Sequence, residues 1–348
     1  MSLRSPILNV LLVLCSLVIG ALGMELAGQL YVALVAKHGK LFTLDRQLGW
    51  VPLPNLDLAR KNANGDLWHI ATDAQGIRGP ADWPDPAKTR LLVLGDSFAF
   101  GEGVELADRF DTLLAAMVPN LSVVDLGVMG YGPGQELIRG RRWIDRLRPG
   151  DVLLLLTYGN DFYDLARTRH GGRPKPWVED EGGRLIEHPP ATNWFSALRD
   201  RSYLVTLLTR SWARLVESDE TEERLRDSGS VYAKLIERAA APLMARGVRV
   251  VLAHHGDQVF PLPFDLARVF ADLCPEVSAC VALDPALAAA PRAEVFLEDG
   301  HWAAGGHRIA AHRLAAVLRS PPIARRDPAT SADRPPAAIP EPAPTAGF

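Results

Sequence analysis

Apolar and polar positions follow two different patterns along most of the chain. Uninterrupted runs of Leu, Val and Ala, each bounded by Gly, Pro or polar residues, predict buried strands at 89–94, 122–126, 151–157, 248–253 and, more briefly, 280–283. Apolar residues at helical spacing predict helices at 108–117, 135–147, 232–246 and 303–318. Strands that alternate with helices predict an α/β fold, with a parallel sheet covered by helices on both faces.

The longest apolar run lies at the N-terminus. From Pro6 to Met24 only Asn9 and Ser16 are polar, and such a run is about long enough to span a bilayer. We interpret residues 1–36 as a membrane anchor or a signal segment, since Ala21–Gly23 is an acceptable cleavage site. Weak apolar character continues to Ala36 and favours an uncleaved transmembrane helix. A buried helix of a soluble protein is the remaining alternative.

The rest of the chain divides into three parts. Residues 37–88 are rich in Gly, Pro, Asn and Asp, and we expect a lead-in with short strands that packs on the main domain. Residues 89–319 form the main domain, with a long insertion at 162–230 that is either a substrate-shaping lid or a helical excursion. Residues 320–348 are dominated by Pro and Ala, and we expect a disordered tail.

Composition narrows the picture in two ways. The 348 residues are 48% hydrophobic with a net charge of −3, so one large core is possible and nothing suggests binding to nucleic acid. Cys274 and Cys280 are close enough to pair, and a disulfide would indicate an oxidising compartment. If they do pair, the main domain lies outside the cytoplasm, in the periplasm. They can equally be two unrelated small residues.

A candidate nucleophile follows the first strand of the main domain. Ser97 stands in Gly95-Asp96-Ser97, at the carboxyl end of the predicted sheet, where open α/β folds build their sites. A serine nucleophile needs a base, and His301 in the loop before the last helix is the best candidate, with Asp299 to orient its ring. His254 and His255 compete for the role of base, and Glu298 competes with Asp299. We expect His307 to be structural.

The next two strands supply candidate donors for an oxyanion. Glycines at 127, 130 and 132 follow the second strand and allow backbone N–H groups to approach a substrate closely. Asn160 follows the third strand, and its side-chain amide is a donor. Because the strands are parallel, all these groups fall on one edge of the sheet.

At this point the chain resembles the SGNH (GDSL-type) hydrolases. Four blocks occur in the family's order, and they contain Gly95-Asp96-Ser97, Gly130, Gly159-Asn160-Asp161 and Asp299-Gly300-His301. The resemblance implies a flavodoxin-like three-layer α/β/α fold with about five parallel strands, and no metal or cofactor. It also implies catalytic roles for Ser97, His301 and Asp299, and an oxyanion hole formed by Ser97, Gly130 and Asn160.

The chain departs from the family pattern at three positions. Phe98 replaces a Leu, Asp125 stands where Asn is frequent, and the acid lies two residues before His301 instead of three. The shorter acid–histidine spacing, followed by Trp302, is similar to the branch with extracytoplasmic esterases and polysaccharide O-acetyltransferases. It also keeps Glu298 as an alternative to Asp299.

The function that these features predict is ester hydrolysis through an acyl-serine. We expect short-chain or acetyl esters, on a cell-envelope glycan or lipid, as substrates. An O-acyltransferase, served by a membrane partner that delivers the acyl donor, and a non-catalytic envelope protein on the same scaffold are the alternatives. The insertion's Trp177, Trp194 and Trp212 could stack on sugars, line an acyl pocket or belong to a core.

Overall fold

The N-terminal apolar run forms one long helix. The computed structural model describes residues 4–34, 40–216, 218–256 and 259–320. In it α1 (Arg4–Leu34) has 31 residues, and its Pro6–Leu30 stretch is long and apolar enough to cross a membrane. Nearly every side chain in that stretch is exposed, so α1 is not a core helix of the domain.

The lead-in folds into two small antiparallel hairpins. They pair β1 (Phe42–Asp45) with β2 (Gly49–Pro52), and β3 (Asp57–Lys61) with β4 (Leu67–Ala71). Trp50, Trp68 and Ile70 from these strands are buried.

The first half of the main domain alternates strands with helices. Its elements are β5 (Thr89–Leu94), α2 (Ser97–Phe100), a 3₁₀ turn at Leu106–Asp108, α3 (Phe110–Met117), β6 (Leu121–Asp125), α4 (Pro133–Ile144), β7 (Val152–Tyr158) and α5 (Asp161–Ala166). The predicted first strand at 89–94 is confirmed, and the next two strands are shifted by one residue from their predicted bounds.

The insertion contains two further hairpins and three helices. These are β8 (Arg169–His170) with β9 (Arg173–Pro174), β10 (Trp177–Glu181) with β11 (Arg184–His188), α6 (Trp194–Arg201), α7 (Tyr203–Val216) and α8 (Ser218–Ala245). The helix predicted at 232–246 thus begins at Ser218, fourteen residues earlier. Its first half is dominated by charged residues, which have no apolar spacing to indicate a helix, whereas its second half packs on the sheet through Tyr232 and Ile236.

The last part of the domain completes the sheet. It comprises β12 (Arg249–His255), α9 (Leu266–Leu273), a 3₁₀ turn at Cys274–Glu276, β13 (Ala279–Ala282), α10 (Asp284–Ala288), α11 (Arg292–Val295) and α12 (Ala304–Arg319). Cys274 and Cys280 form a disulfide that ties the 3₁₀ turn to β13. The tail after Ser320, for which disorder is predicted, lies outside the described residues.

The five long strands form one parallel sheet in the order β13-β12-β7-β5-β6. Numbered along the chain from β5, this is the 2-1-3-4-5 order of flavodoxin-like folds. Alternate residues face opposite layers. Leu92 and Leu153 pack with α4, α8 and α9, whereas Leu91 and Leu154 pack with α3 and α12. The predicted three-layer α/β/α fold is confirmed.

Candidate active site

Ser97 begins the helix that follows β5. Asp96 caps this helix, because its Oδ1 accepts a hydrogen bond from the Phe98 N–H at 2.9 Å. At the first position of α2, the Ser97 N–H has no partner within the helix. The chain thus places both the hydroxyl and the N–H of Ser97 at the carboxyl edge of the sheet.

A buried arginine from the lead-in holds the turn after Ser97. The Arg78 guanidinium donates to the carbonyls of Phe100, Gly101 and Val104 at 2.7–2.9 Å, and also to that of His69. Burial and the neighbouring Arg109 lower the pKa of Arg78 to about 9. Four carbonyl acceptors bind the two terminal nitrogens of this cation, so the lead-in supports the turn after Ser97 directly.

His301 lies in a tight hairpin that precedes α12. Phe296 and Trp302 pair across it as an antiparallel bridge, and the Leu297 N–H donates to the His301 carbonyl at 2.8 Å. Gly300 has φ of +92°, a conformation that side chains disfavour, which explains the glycine between Asp299 and His301. Trp302 is fully buried and fixes the hairpin to the core.

Ser97 and His301 meet in hydrogen-bonding contact. The His301 Nε2 lies 2.9 Å from the Ser97 Oγ. On the other side of the ring, Asp299 Oδ1 lies 3.1 Å from Nδ1, but out of line with it, and Nδ1 makes no hydrogen bond. The same Asp299 oxygen accepts the His301 backbone N–H at 3.1 Å. A serine nucleophile and its base require a contact of this kind, and a carboxylate near the second ring nitrogen suits such a base.

A second carboxylate reaches the histidine from the nucleophile's own turn. Glu102 Oε2 lies 3.5 Å from His301 Nε2. Burial raises the pKa of Glu102, although His301 opposes that rise. Within the described part of the chain the Glu298 carboxylate makes no such contact with His301, and the Glu298 backbone N–H donates to Asn64 Oδ1 at 2.9 Å. Of the two acids weighed from the sequence, Asp299 is the one beside the ring.

The competing histidines lie inside the domain. His254 stacks on Phe270 at 3.8 Å, on the layer away from Ser97. His255 is buried between Tyr158 and Trp302, and burial lowers its pKa well below the usual range. His307 is also buried, and its Nδ1 accepts the Phe110 N–H at 3.3 Å.

The glycine segment after β6 lies against α2. A Cβ at Gly127 would stand 2.4 Å from the Phe100 nitrogen, so only glycine permits this approach. Gly130 has φ of +74°, and a Cβ there would stand 2.7 Å from His170 Nε2. The β8–β9 hairpin of the insertion therefore places a histidine directly over the predicted oxyanion segment.

Asn160 lies at the same edge with its amide already engaged. Its Nδ2 donates to Asp96 Oδ2 at 3.1 Å and to Asp164 Oδ2 at 3.3 Å, and its Oδ1 is buried without a partner. Asn160 thus joins the cap of the nucleophile helix to α5. To serve an oxyanion, its amide must release one of these carboxylates.

Beneath the site lies a group of buried carboxylates. Burial raises the pKa of Asp96 to about 6, against the hydrogen bonds from Phe98 and Asn160. Burial, together with neighbouring carboxylates, raises the pKa values of Glu136 and Asp161 well above their usual range. Asp164 is also buried, but Lys175 and His170 more than offset that effect and lower its pKa. Of these four carboxyl groups, Asp164 is therefore the one held firmly in the charged form.

The sequence patterns did not indicate four residues of this site. Arg78, Glu102, His170 and Lys175 each reach it from a segment whose pattern marks only a turn or a hairpin. Glu102 was the easiest of the four to predict, because it stands five residues after Ser97 in the same turn. Within the described part of the chain, no group of three or more His, Cys, Asp and Glu side chains is arranged to hold a metal ion.

Comparison with known proteins was made by sequence and by structure. No family model and no curated protein matches the chain. Among solved structures, a member of the lipolytic G-D-S-L family from Veillonella parvula has 13% identity and a TM-score of 0.42, and covers 66% of this chain and 97% of its own. Several solved structures that resemble this chain are described as lipolytic proteins or lipases of the G-D-S-L type.

Two lipases show the same degree of likeness. A GDSL-like lipase from Bacteroides thetaiotaomicron has 13% identity and a TM-score of 0.38, and covers 68% of this chain and 91% of its own. The extracellular lipase from Streptomyces rimosus has 12% identity and a TM-score of 0.36, and covers 67% and 100%. At these identities and TM-scores, function has to be argued from the side chains of the site itself.

Proposed function

We propose that this protein is a serine hydrolase that cleaves acyl esters through an acyl-serine intermediate. The observation that carries the proposal is the 2.9 Å contact between Ser97 Oγ and His301 Nε2 at the carboxyl edge of the sheet. A serine hydroxyl is a weak nucleophile until a base removes its proton, and His301 is placed to do so. Asp299, 3.1 Å from Nδ1, favours the charged imidazole that results.

The reaction follows from these positions. As Ser97 Oγ bonds to the ester carbonyl carbon, its proton passes to His301 Nε2. The carbonyl oxygen becomes an oxyanion, for which the N–H groups of Ser97 and Gly130 and the Asn160 amide are the proposed donors. The C–O bond then breaks, and the alcohol leaves with the proton from His301. Water repeats the sequence on the acyl-serine and releases the acid.

The border of the site supports small polar esters as substrates. Glu102, His170 and Asp299 are all partly exposed around the Ser97–His301 pair and the glycine segment. Such groups suit an alcohol part with hydroxyls, as on a glycan or a lipid headgroup. We extend the proposal to short-chain or acetyl esters of that kind.

We also propose that α1 is an uncleaved anchor and that the domain lies outside the cytoplasm. The helix runs through the candidate cleavage site at Ala21–Gly23 without a break. The Cys274–Cys280 disulfide supports an oxidising compartment.

Labelling and turnover test the catalytic proposal together. The full-length protein is expected to react with a fluorophosphonate probe and to hydrolyse p-nitrophenyl acetate, and Ser97→Ala to lose both activities. Ser228→Ala is the matched control, because the Ser228 hydroxyl is also buried and, among the described residues, bonds only to the Leu225 carbonyl. A Ser97→Ala protein that labels and turns over like the parent would show that another residue is the nucleophile.

A further inference from the structure

The α6–α7 pair of the insertion exposes an apolar surface. Five large side chains there are between 41% and 76% exposed: Trp194, Phe195 and Leu198 on α6, and Leu207 and Leu208 on α7. We name these five residues the α6–α7 face. On α6 they occupy positions i, i+1 and i+4, which is one side of a helix.

The flank of α6 next to Phe195 is fixed to the domain. Arg199 is buried, and it donates to the Gly171 carbonyl at 2.7 Å and to Thr209 Oγ1 at 2.9 Å. Gly171 follows His170 in the β8–β9 hairpin. α6 is thus amphipathic, with its exposed apolar side adjacent to the polar contacts that hold it.

The N-terminal helix binds the start of α7. Glu25 of α1 accepts hydrogen bonds from Ser202 Oγ at 2.7 Å and from the N–H groups of Tyr203 and Leu204 at 2.9 Å. A Cβ at Gly28 would stand 2.0 Å from the Tyr203 ring, so the two helices touch closely there. Leu207 lies one turn after Tyr203, on the side of α7 that meets α1. Leu207, one member of the α6–α7 face, therefore lies next to the apolar helix.

The length of α1 determines the depth in a bilayer at which its contact with α7 would lie. Within the Pro6–Leu30 stretch, the 19 residues that precede the charged Glu25 rise about 28 Å at ~1.5 Å per residue. The hydrocarbon core of a bilayer is about 30 Å thick. If α1 spans the membrane, Glu25 and the start of α7 lie where hydrocarbon gives way to headgroups. Four donors, from Gln29, Ser202, Tyr203 and Leu204, satisfy the Glu25 carboxylate at that boundary.

We propose that the α6–α7 face lies in the interfacial layer of the bilayer, with Trp194 and Phe195 at the level of the headgroups. The proposal rests on α1 being a membrane span and is independent of the esterase chemistry. Tryptophan is enriched at this level because its ring is apolar and its N–H is polar. An amphipathic helix that exposes Trp, Phe and Leu suits such a surface.

Fluorescence quenching by lipid tests the proposal in the full-length protein. The chain has eight tryptophans and α1 has none, so quenching by lipids brominated in their acyl chains reports on other elements. In vesicles of phosphatidylcholine and phosphatidylglycerol we expect a quenched component that Trp194→Phe removes in large part. Trp177→Phe is the matched control, because Trp177 is stacked on His188 at 3.9 Å and lies off the face.

A charge on the face provides the second measurement. Leu208→Asp is expected to weaken the quenching of Trp194. Leu67→Asp on β4 is expected to leave it unchanged, although Leu67 is 65% exposed against 60% for Leu208. Unquenched Trp194 in the parent protein would overturn the proposal and assign the face to a protein partner or a second copy. Equal effects of the two aspartates would also overturn it.

Discussion

Two histidines border the candidate site, and they are held in different ways. His301 comes from the hairpin before α12, and His170 from the β8–β9 hairpin of the insertion. Each has a carboxylate oxygen 3.1 Å from its Nδ1, namely Asp299 for His301 and Asp164 for His170. The Asp299 side chain is 43% exposed, whereas that of Asp164 is 4% exposed.

Packing therefore positions the His301 ring, whereas charge positions the His170 ring. An exposed carboxylate out of line with its partner contributes little, so the His301 ring is positioned mainly by its hairpin and by Phe98, 5.2 Å away between ring centres. His170 instead depends on a buried ion network, because Lys175 Nζ donates to the Asp164 carbonyl at 2.6 Å and lies 3.9 Å from its carboxylate. We therefore expect the two histidines to respond differently to substitution.

The largest expected effect distinguishes the catalytic contribution of His301 from that of His170. His301→Ala removes the base, and kcat/KM for p-nitrophenyl acetate is expected to fall by roughly 10³-fold, within the usual range for such a group. His170→Ala is expected to cost less than about tenfold, since it removes about one hydrogen bond near the oxyanion segment. Equal losses in steady-state assays would mean that both rings take part in proton transfer.

Removal of the buried cation should affect stability more than catalysis. Lys175→Met leaves the Asp164 carboxylate without its buried cation, and the free energy of unfolding is expected to fall by about 3 kcal/mol. Arg268→Met is the control, because the Arg268–Asp272 pair is highly exposed and should contribute less than about 1 kcal/mol. Urea unfolding of the full chain in detergent measures both. A loss for Lys175→Met as small as that of the control would show that charge does not hold the His170 side.

Two buried carboxylates, Asp96 beside Ser97 and Asp164 beside His170, should also give opposite pH dependences. Asp96 next to Ser97 has its pKa raised to about 6, so its folded form binds a proton that the unfolded chain has released. Its contribution to stability is greatest at low pH and is lost as pH rises toward 6, by about 2 kcal/mol between about pH 4.5 and 7. Asp164 has a lowered pKa, so its contribution is lost only as pH falls below about 4.

Unfolding across this pH range checks the assignment. Asp96→Asn should remove the loss of stability between about pH 4.5 and 7 that belongs to Asp96, so the parent and the variant should differ in slope there. Parallel curves for the two proteins would mean that the Asp96 carboxyl does not titrate in this range.

The sheet and the Ser97–His301 pair could be predicted because their signals are local. A buried strand followed by Gly-Asp-Ser, and Asp-Gly-His before the last helix, each identify a position within a few residues. Parallel alternation then brings both to one edge of the sheet. Asp299 could be predicted for the same reason, since it stands two residues from His301.

The other supports could not be predicted because they depend on contacts between distant segments. Arg78 binds carbonyls up to 26 residues away, and His170 lies in a hairpin whose strands have two residues each. The first half of α8 could not be predicted either, because its charged residues give no apolar spacing that indicates a helix. Trp177 stacks on His188 and Trp194 is exposed, so neither is a core residue, and Trp212's side chain lies outside the described residues.

The smallest expected effect concerns the acid beside His301. Because Asp299 is largely exposed and out of line with Nδ1, Asp299→Asn is expected to lower kcat by roughly tenfold, far less than the ~10⁴-fold loss known for a buried triad carboxylate. Glu298→Gln is the matched control and should stay within about twofold, because the Glu298 backbone N–H, not its carboxylate, makes the contact with Asn64. Steady-state kinetics of both variants decide between the acids. A larger loss for Glu298→Gln would mean that Glu298 orients the ring during turnover.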